Sequence, residues 1–419
     1  MQNKSDVDLI IVGAGAAGLA AAKAAQARGL SFHLIEASHR IGGRAYTEEI
    51  APGIPFDLGC HWMHSASLNP FVAIADRFGF HYRRDGQWSM NVFADSHWID
   101  GSERAELLGL MEANHEAMKA AAKRGEDIAV SEVIDLEHRW AALHAYWFSL
   151  GTSHDVDEVS TVDAVAYNDT EENWPLRDGF GALVARWAAD VPVTLNAAVQ
   201  RVRWSAKGVA VETTKGTVTG RRLLLTVSTN VLAADRIQFD PPLPDWKRAA
   251  VNDLPLGVHN RIGIHLTHNP FGPDTPISGA LMTGEDVPMS VQFRPFGLDY
   301  VVGVTGGRFG AWLERAGQAA SVDYLTERLV AAFGGDIRKA LSSRTIVTAW
   351  AGDPWTLGSY SAAVPGAGHQ RRELARPVDD VLFFAGEACS QQFAATCHGA
   401  YLTGMAAVEA MAPKESVRA

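Results

Sequence analysis

Three glycines and an acid stand first among the residues whose types and spacing could do chemistry. Val7-Asp8-Leu9-Ile10-Ile11-Val12 runs directly into Gly13-Ala14-Gly15-Ala16-Ala17-Gly18, a G-x-G-x-x-G turn behind an apolar strand. Gly13 allows the tight turn and Gly15 lets backbone approach a pyrophosphate. Gly18 lets the following helix pack close to the sheet. That helix begins at Ala16 and Ala17, is rich in alanine, and stops at Gly29. Its first N–H groups and its dipole would face the phosphates. A second apolar stretch, Phe32-His33-Leu34-Ile35, ends in Glu36. An acid there, roughly 20 residues past the turn, suits ribose hydroxyls and disfavours a 2′-phosphate. The turn predicts a dinucleotide but leaves NAD and FAD open.

Further runs narrow the choice. Ile41-Gly42-Gly43-Arg44 and Asp57-Leu58-Gly59-Cys60-His61-Trp62 follow the second strand. Near the other end come Ala349-Trp350-Ala351-Gly352 through Ser359-Tyr360-Ser361, then Val381 to Gly386-Glu387, then Thr396-Cys397-His398-Gly399. In these runs the chain resembles the flavin-containing amine oxidase family, which includes monoamine oxidases, polyamine oxidases and flavin-dependent histone lysine demethylases. The resemblance covers nearly the whole length and is weakest between residues 70 and 175.

The resemblance implies FAD as cofactor. It places Gly42, Gly43 and Arg44 at the pyrophosphate and the backbone of Val199 at the adenine. Gly59, His61 and Trp62 then lie along the flavin edge, Trp350 against the flavin, and Gly386, Glu387 and Thr396 at the closing helix start. Physical chemistry agrees: an arginine fork matches phosphate oxygens, and glycines let backbone lie against a ring. Tyr360 maps to one ring of an aromatic cage, and Thr396 to the other, which is thereby half open. Ser359 stands where monoamine oxidases carry the flavin-bonded cysteine, so the expected FAD is non-covalent. Arg261, in Pro255-Leu256-Gly257-Val258-His259-Asn260-Arg261, stands where the family usually has a lysine that holds a water near flavin N5. Arginine stays protonated and cannot act as a base, but it can orient a water or an anion. His64 is expected to line the cavity. His61 and His64 make no metal site, because no further ligand set accompanies them. Glu171 and Glu172 read as solvated loop charges, and Cys397 as a small packing residue.

Composition removes other classes. Lys plus Arg number 37 and Asp plus Glu 48, for a net charge of −11 and a pI near 5.7. That is a poor match to nucleic-acid binding. Cys60, Cys389 and Cys397 form no C-x-x-C and no disulfide framework, as in a reducing compartment. No signal peptide, no apolar stretch of about 18 residues and no hydrophobic tail beyond Ala412-Pro413-Lys414 is seen. The expected location is cytoplasmic and away from membranes.

The expected fold is α/β. An FAD-binding domain with a mostly parallel sheet, discontinuous over residues 1–67, 190–257 and 345–419, carries a substrate domain of helices over a mixed sheet from 68–189 and 258–344. Within it, 103–124, 131–150 and 179–189 read as helices. Residues 193–213 alternate as strands with turns at Lys207-Gly208 and Lys215-Gly216, and Leu223 to Val227 rejoins the central sheet. Residues 258–334 read as three strands and a helix. The expected activity is oxidation of a C–N bond in a small amine, with O2 reduced to H2O2 and a homodimer as the assembly. The competing expectations are a flavoprotein acting on C–C or C–H bonds and a non-catalytic flavin-bearing module.

Overall fold

Leu9 to Val12 are buried almost completely, as a central parallel strand requires, and every other part of the first sheet is arranged around them. The computed structural model describes residues 7–84, 90–283 and 287–411; the extreme N-terminus and Ala412–Lys414 lie outside it. Strand Val7–Val12 pairs in parallel with Phe32–Ile35 on one side and with Gly216–Leu225 on the other. Val193–Thr194 extends the sheet beyond Phe32–Ile35, and Leu382–Phe384 adds beyond Leu223–Leu225.

The ten-residue strand Gly216–Leu225 joins two styles of sheet. Its first half is antiparallel to Gly208–Thr213, which is antiparallel in turn to Val199–Ser205. Its second half lies in the parallel core. The meander and both expected turns therefore form, and Leu223–Leu225 does rejoin the centre.

Helices cover the opposite face. The helix Ala16–Ala27 lies beside the C-terminal helix Cys397–Ala410 at backbone distance. A Cβ on Gly404 would fall 2.1 Å from the Ala17 carbonyl oxygen. Two segments separated by most of the chain are thus held together by one missing methyl group. Helices Pro70–Phe78 and Phe180–Trp187 complete this layer around Phe71, Phe180 and Leu183.

A second sheet of seven strands runs in the order Leu341–Val347, His259–Leu266, Tyr300–Gly306, Met289–Phe293, Ser278–Leu281, Val92–Ala94, His97–Trp98. It is mixed, with one parallel contact between Ser278–Leu281 and Val92–Ala94. Helices Gly101–Lys123 and Ala141–Thr152 lie on this side of the molecule. Asp100 caps the first through a reciprocal pair with Glu103. No helix among the described residues is long and apolar enough to cross a membrane.

Two expectations about elements fail. Residues 131–140 are not helical beyond a short turn at Val130–Glu132, and the helix starts only at Ala141. Asp135 explains the delay: its Oδ1 accepts from the amides of Glu137 and His138, a local bond that competes with a helix. The described residues of 258–334 hold four strands and two α-helices rather than three strands and one helix. Gly317, at φ +96°, divides Gly307–Ala316 from Gln318–Phe333.

Candidate active site

One cavity of about 1140 Å³ runs from the glycine-rich turn to the second sheet, and it collects nearly every residue singled out in the sequence. Gly13, Gly15, Ala17, Glu36, Gly42, Gly43, Arg44, Gly59, His61, Trp62, His64, Val199, Arg261, Trp350, Tyr360, Gly386, Glu387 and Thr396 all line it. Gly18 does not, and its role is packing. A Cβ there would lie 1.8 Å from the Gly13 carbonyl oxygen.

At the nucleotide end the backbone is left open where a ligand would need it. Gly13 adopts φ +101°, and Gly15, which precedes the helix Ala16–Ala27, would carry a Cβ with nothing within 4 Å. Gly42 joins this turn through its amide, which donates to the Ala14 carbonyl at 2.8 Å. Glu36 accepts from the amides of Ala14 (2.7 Å) and Ser38 (2.8 Å), so its carboxylate is fixed at the cavity wall. Each of its oxygens retains a lone pair for a ribose hydroxyl. Gly386, at φ +142°, would meet only the Thr226 carbonyl oxygen, at 4.0 Å, if given a Cβ. These open glycines, the helix N-terminus and the fixed acid together form a cradle that fits the pyrophosphate and ribose of FAD.

In the middle of the cavity Glu387 is a hub. It is 5% exposed and accepts from Arg44 (3.0 Å), from the hydroxyl of Ser361 (2.8 Å) and from the amide of Ala395 (3.1 Å). Arg44 also donates to the Ser359 carbonyl. Behind Ser361 lies a pair absent from the sequence expectations, Arg371 with Asp163. Arg371 donates from Nε (2.5 Å) and Nη2 (2.8 Å) to the two carboxylate oxygens, and from Nη1 to the Ser361 hydroxyl (2.9 Å). A buried ion pair and a half-buried one thereby meet on one serine.

At the far end aromatic and imidazole rings dominate. The Trp350 indole N–H donates to the Leu58 carbonyl at 3.1 Å, and a Cβ on Gly59 would come within 3.3 Å of the ring. The Tyr360 hydroxyl donates to the Leu150 carbonyl and meets Nδ1 of His259 at 3.0 Å; burial pushes its pKa up. Thr396 lines the cavity, but its hydroxyl accepts from the Gly399 amide (3.0 Å) and donates to the Phe393 carbonyl (2.7 Å). It caps the last helix.

The histidines here are neutral. Burial lowers His61 to about 4, with the charge of Arg261 adding to it, and the same two causes bring His259 to about 4. Burial also lowers His64. Nδ1 of His64 donates to Asn173 Oδ1 at 2.6 Å, leaving Nε2 with its lone pair. No group of three or more His, Cys, Asp or Glu that could hold a metal occurs among the described residues.

Ser359 is buried at 4% and exchanges hydrogen bonds with the backbone of His259. Cys397 is buried, and burial holds its thiol well above the usual range. Glu172 holds the amide of Ser67 at 3.1 Å, and neither it nor Glu171 lines the cavity.

Sequence reasoning missed His259, Arg371, Asp163 and Gln292, the last a cavity-lining residue whose Nε2 lies 3.4 Å from His61 Nε2. His259 had a signal, since it lies two residues before Arg261 on the same strand and so faces the same side. The other three had none.

Residues 87–412 match the family of flavin containing amine oxidoreductases, and residues 11–78 match an NAD(P)-binding Rossmann-like domain. Polyamine oxidase 3 of Oryza sativa subsp. japonica is 28% identical, over 96% of this chain and 88% of its own length. Lysine-specific histone demethylase 2 of Homo sapiens is 26% identical over 96% of this chain, which spans 53% of that protein. Among solved structures, cyclohexylamine oxidase from Brevibacterium oxydans IH-35A superposes with a TM-score of 0.79 at 21% identity, covering 97% of this chain and 98% of its own.

Proposed function

The chain belongs to the flavin containing amine oxidoreductases, and from that premise we propose that it oxidises the C–N bond of a small amine and passes the electrons to O2. The α-carbon of the amine loses a hydride equivalent and the nitrogen a proton. The resulting imine is hydrolysed to a carbonyl compound and ammonia or a smaller amine. FAD bound without a covalent link would supply the two-electron acceptor, with O2 as the final oxidant and H2O2 as the by-product.

The observation that carries this reading is the continuity of one cavity from Gly15 and Glu36 to Trp350 and Tyr360. The nucleotide end anchors the cofactor through Glu36, Arg44 and the open glycines. The aromatic end gives the substrate apolar walls and few charges. The indole of Trp350 and the phenol of Tyr360 are each fixed by a backbone carbonyl, so their rings present preformed surfaces. Neutral His61, His64 and His259 add no positive charge against a protonated amine, and the low polarity favours the uncharged nitrogen that oxidation requires.

A peroxide-coupled screen of primary, secondary and polyamine substrates, followed by mass determination of the product, tests the reading. A carbonyl product formed with one equivalent of peroxide is the expected result. A product that has lost two hydrogens across a C–C bond, with its nitrogen retained, would assign the site to a desaturase instead.

A further inference from the structure

Two arginines of the cavity wall are at least nine-tenths buried, Arg371 at 3% and Arg261 at 5%. Arg371 is matched by a carboxylate of this chain, Asp163, in a bidentate pair. Arg261 is not. It makes no ion pair among the described residues, and its buried Nε has no hydrogen-bond partner. Its guanidinium lies 5.3 Å from the centre of the Phe56 ring. Asp57, the acid whose charge it feels, is already taken by the Thr47 hydroxyl (2.5 Å) and the amides of Phe180 (2.9 Å) and Gly181 (3.2 Å). A desolvated cation with no hydrogen-bonded counter-charge is costly. Such a group is retained where a ligand completes it.

Strand register shows what surrounds it. Arg261 lies opposite Val304, Val304 opposite Ser290, and Ser290 opposite Ala280. All four therefore share one face of the second sheet, together with Gln292 two residues beyond Ser290, and all line the cavity. Gln292 offers a second unmatched group: its Oε1 is buried and accepts nothing, while its Nε2 lies 3.4 Å from His61 Nε2. The described strands thus bring to one sheet face a guanidinium without an ion pair and an amide oxygen without a donor, and the acid nearest in effect, Asp57, is engaged elsewhere.

We propose that the substrate is an amine bearing a carboxylate close to the carbon that is oxidised, with Arg261 receiving the carboxylate and Gln292 Oε1 accepting from the amine N–H. A guanidinium takes a carboxylate in two parallel N–H···O bonds, and a carbonyl oxygen suits a neutral or protonated nitrogen. A plain amine would satisfy Gln292 and leave Arg261 unmatched. This assignment rests on the reading of the cavity as an amine-oxidising site.

The test pairs reactivity with binding in the FAD-loaded protein. Anaerobic flavin reduction is measured with a series of α-amino acids and with their amides and decarboxylated amines. Calorimetry measures the binding of benzoate and benzamide, neither of which can be oxidised here. The assignment expects kcat/KM for the carboxylates to exceed that for the amides by 100-fold or more. It expects benzoate to bind at least tenfold tighter than benzamide. Arg261→Gln should reduce both ratios at least tenfold, and Arg261→Lys should keep part of each. Equal or inverted selectivity in the unaltered protein overturns the assignment, whatever the variants do. If no amine reduces the flavin but benzoate binds and that binding needs Arg261, the anion site stands and the oxidase reading falls. If neither class is bound or oxidised, both fall.

Discussion

Gly15→Ala and Gly18→Ala add the same methyl group to the same turn, and the structure requires opposite outcomes. At Gly18 the new Cβ would lie 1.8 Å from the Gly13 carbonyl oxygen and 3.2 Å from Thr226 Oγ1. The first contact is backbone in a turn that Gly13 holds at φ +101°, so no side chain can rotate away. The helix must retreat from the strand by roughly 1.5 Å, at about 1–3 kcal/mol or more. At Gly15 the Cβ meets nothing within 4 Å, and φ −76° is ordinary for alanine. The helix loses a preferred N-cap residue, at less than about 1 kcal/mol. The stiffer unfolded chain returns about 0.4–1 kcal/mol. The apoprotein should therefore melt almost unchanged. The methyl would instead occupy the approach of the pyrophosphate to the helix N–H groups, and a loss of about 1.4–3 kcal/mol there weakens FAD by roughly 10- to 150-fold. Thermal melting of flavin-free protein and FAD titration by fluorescence quenching separate the two. Gly18→Ala should melt several degrees lower. Gly15→Ala should melt normally and bind FAD poorly. A Gly15→Ala protein that melts several degrees lower yet binds FAD with unchanged affinity would refute the assignment of that open space to the cofactor.

Asp163→Asn leaves Arg371 as a buried, half-paired cation, and denaturant unfolding should show a loss of about 3–5 kcal/mol. Acid should destabilise the fold through its histidines. His61, His259 and His398 sit at about 4, 4 and 3 when folded, below the ordinary value of 6.5. The unfolded chain therefore takes their protons first as pH falls. Stability should drop between pH 6.5 and about 4, by about 1.4 kcal/mol per pH unit for each histidine; a melting temperature that stays flat across that window contradicts this. Tyr360→Phe deprives the Leu150 carbonyl of its donor and frees His259 Nδ1, and should lower kcat/KM about tenfold with FAD content retained. The rate of flavin reduction by an amine should rise with pH as the neutral amine becomes populated, so a flat stopped-flow profile would count against selection of the uncharged nitrogen.

The nucleotide end of the site was legible because its chemistry is local. Gly13, Gly15 and Gly18 act within one turn, and Glu36 reaches back only to Ala14. The same holds for the meander, whose turns at Lys207-Gly208 and Lys215-Gly216 are marked by the glycines themselves, at φ +133° and +118°. Pairings across long separations were not legible. Arg371 and Asp163 lie 208 residues apart, and nothing near either one marks the other. Residues 131–140 misled because helix-forming composition says nothing about an aspartate that captures two nearby amides. The second sheet was under-read because short strands such as Ser278–Leu281, with Gly279, Ala280 and Leu281 all buried, show no alternation of apolar and polar residues. Arg261 was visible as a departure, yet its lack of a hydrogen-bonded counter-charge became apparent only when Asp57 could be seen engaged elsewhere.

Anaerobic titration of the purified protein with amines, read by its visible flavin absorption, bears most directly on the account. A yellow protein whose colour is bleached stoichiometrically by at least one amine, and restored by air, is the predicted result. A colourless protein that takes up no added FAD, or a flavin that dithionite bleaches but no amine does, would contradict it.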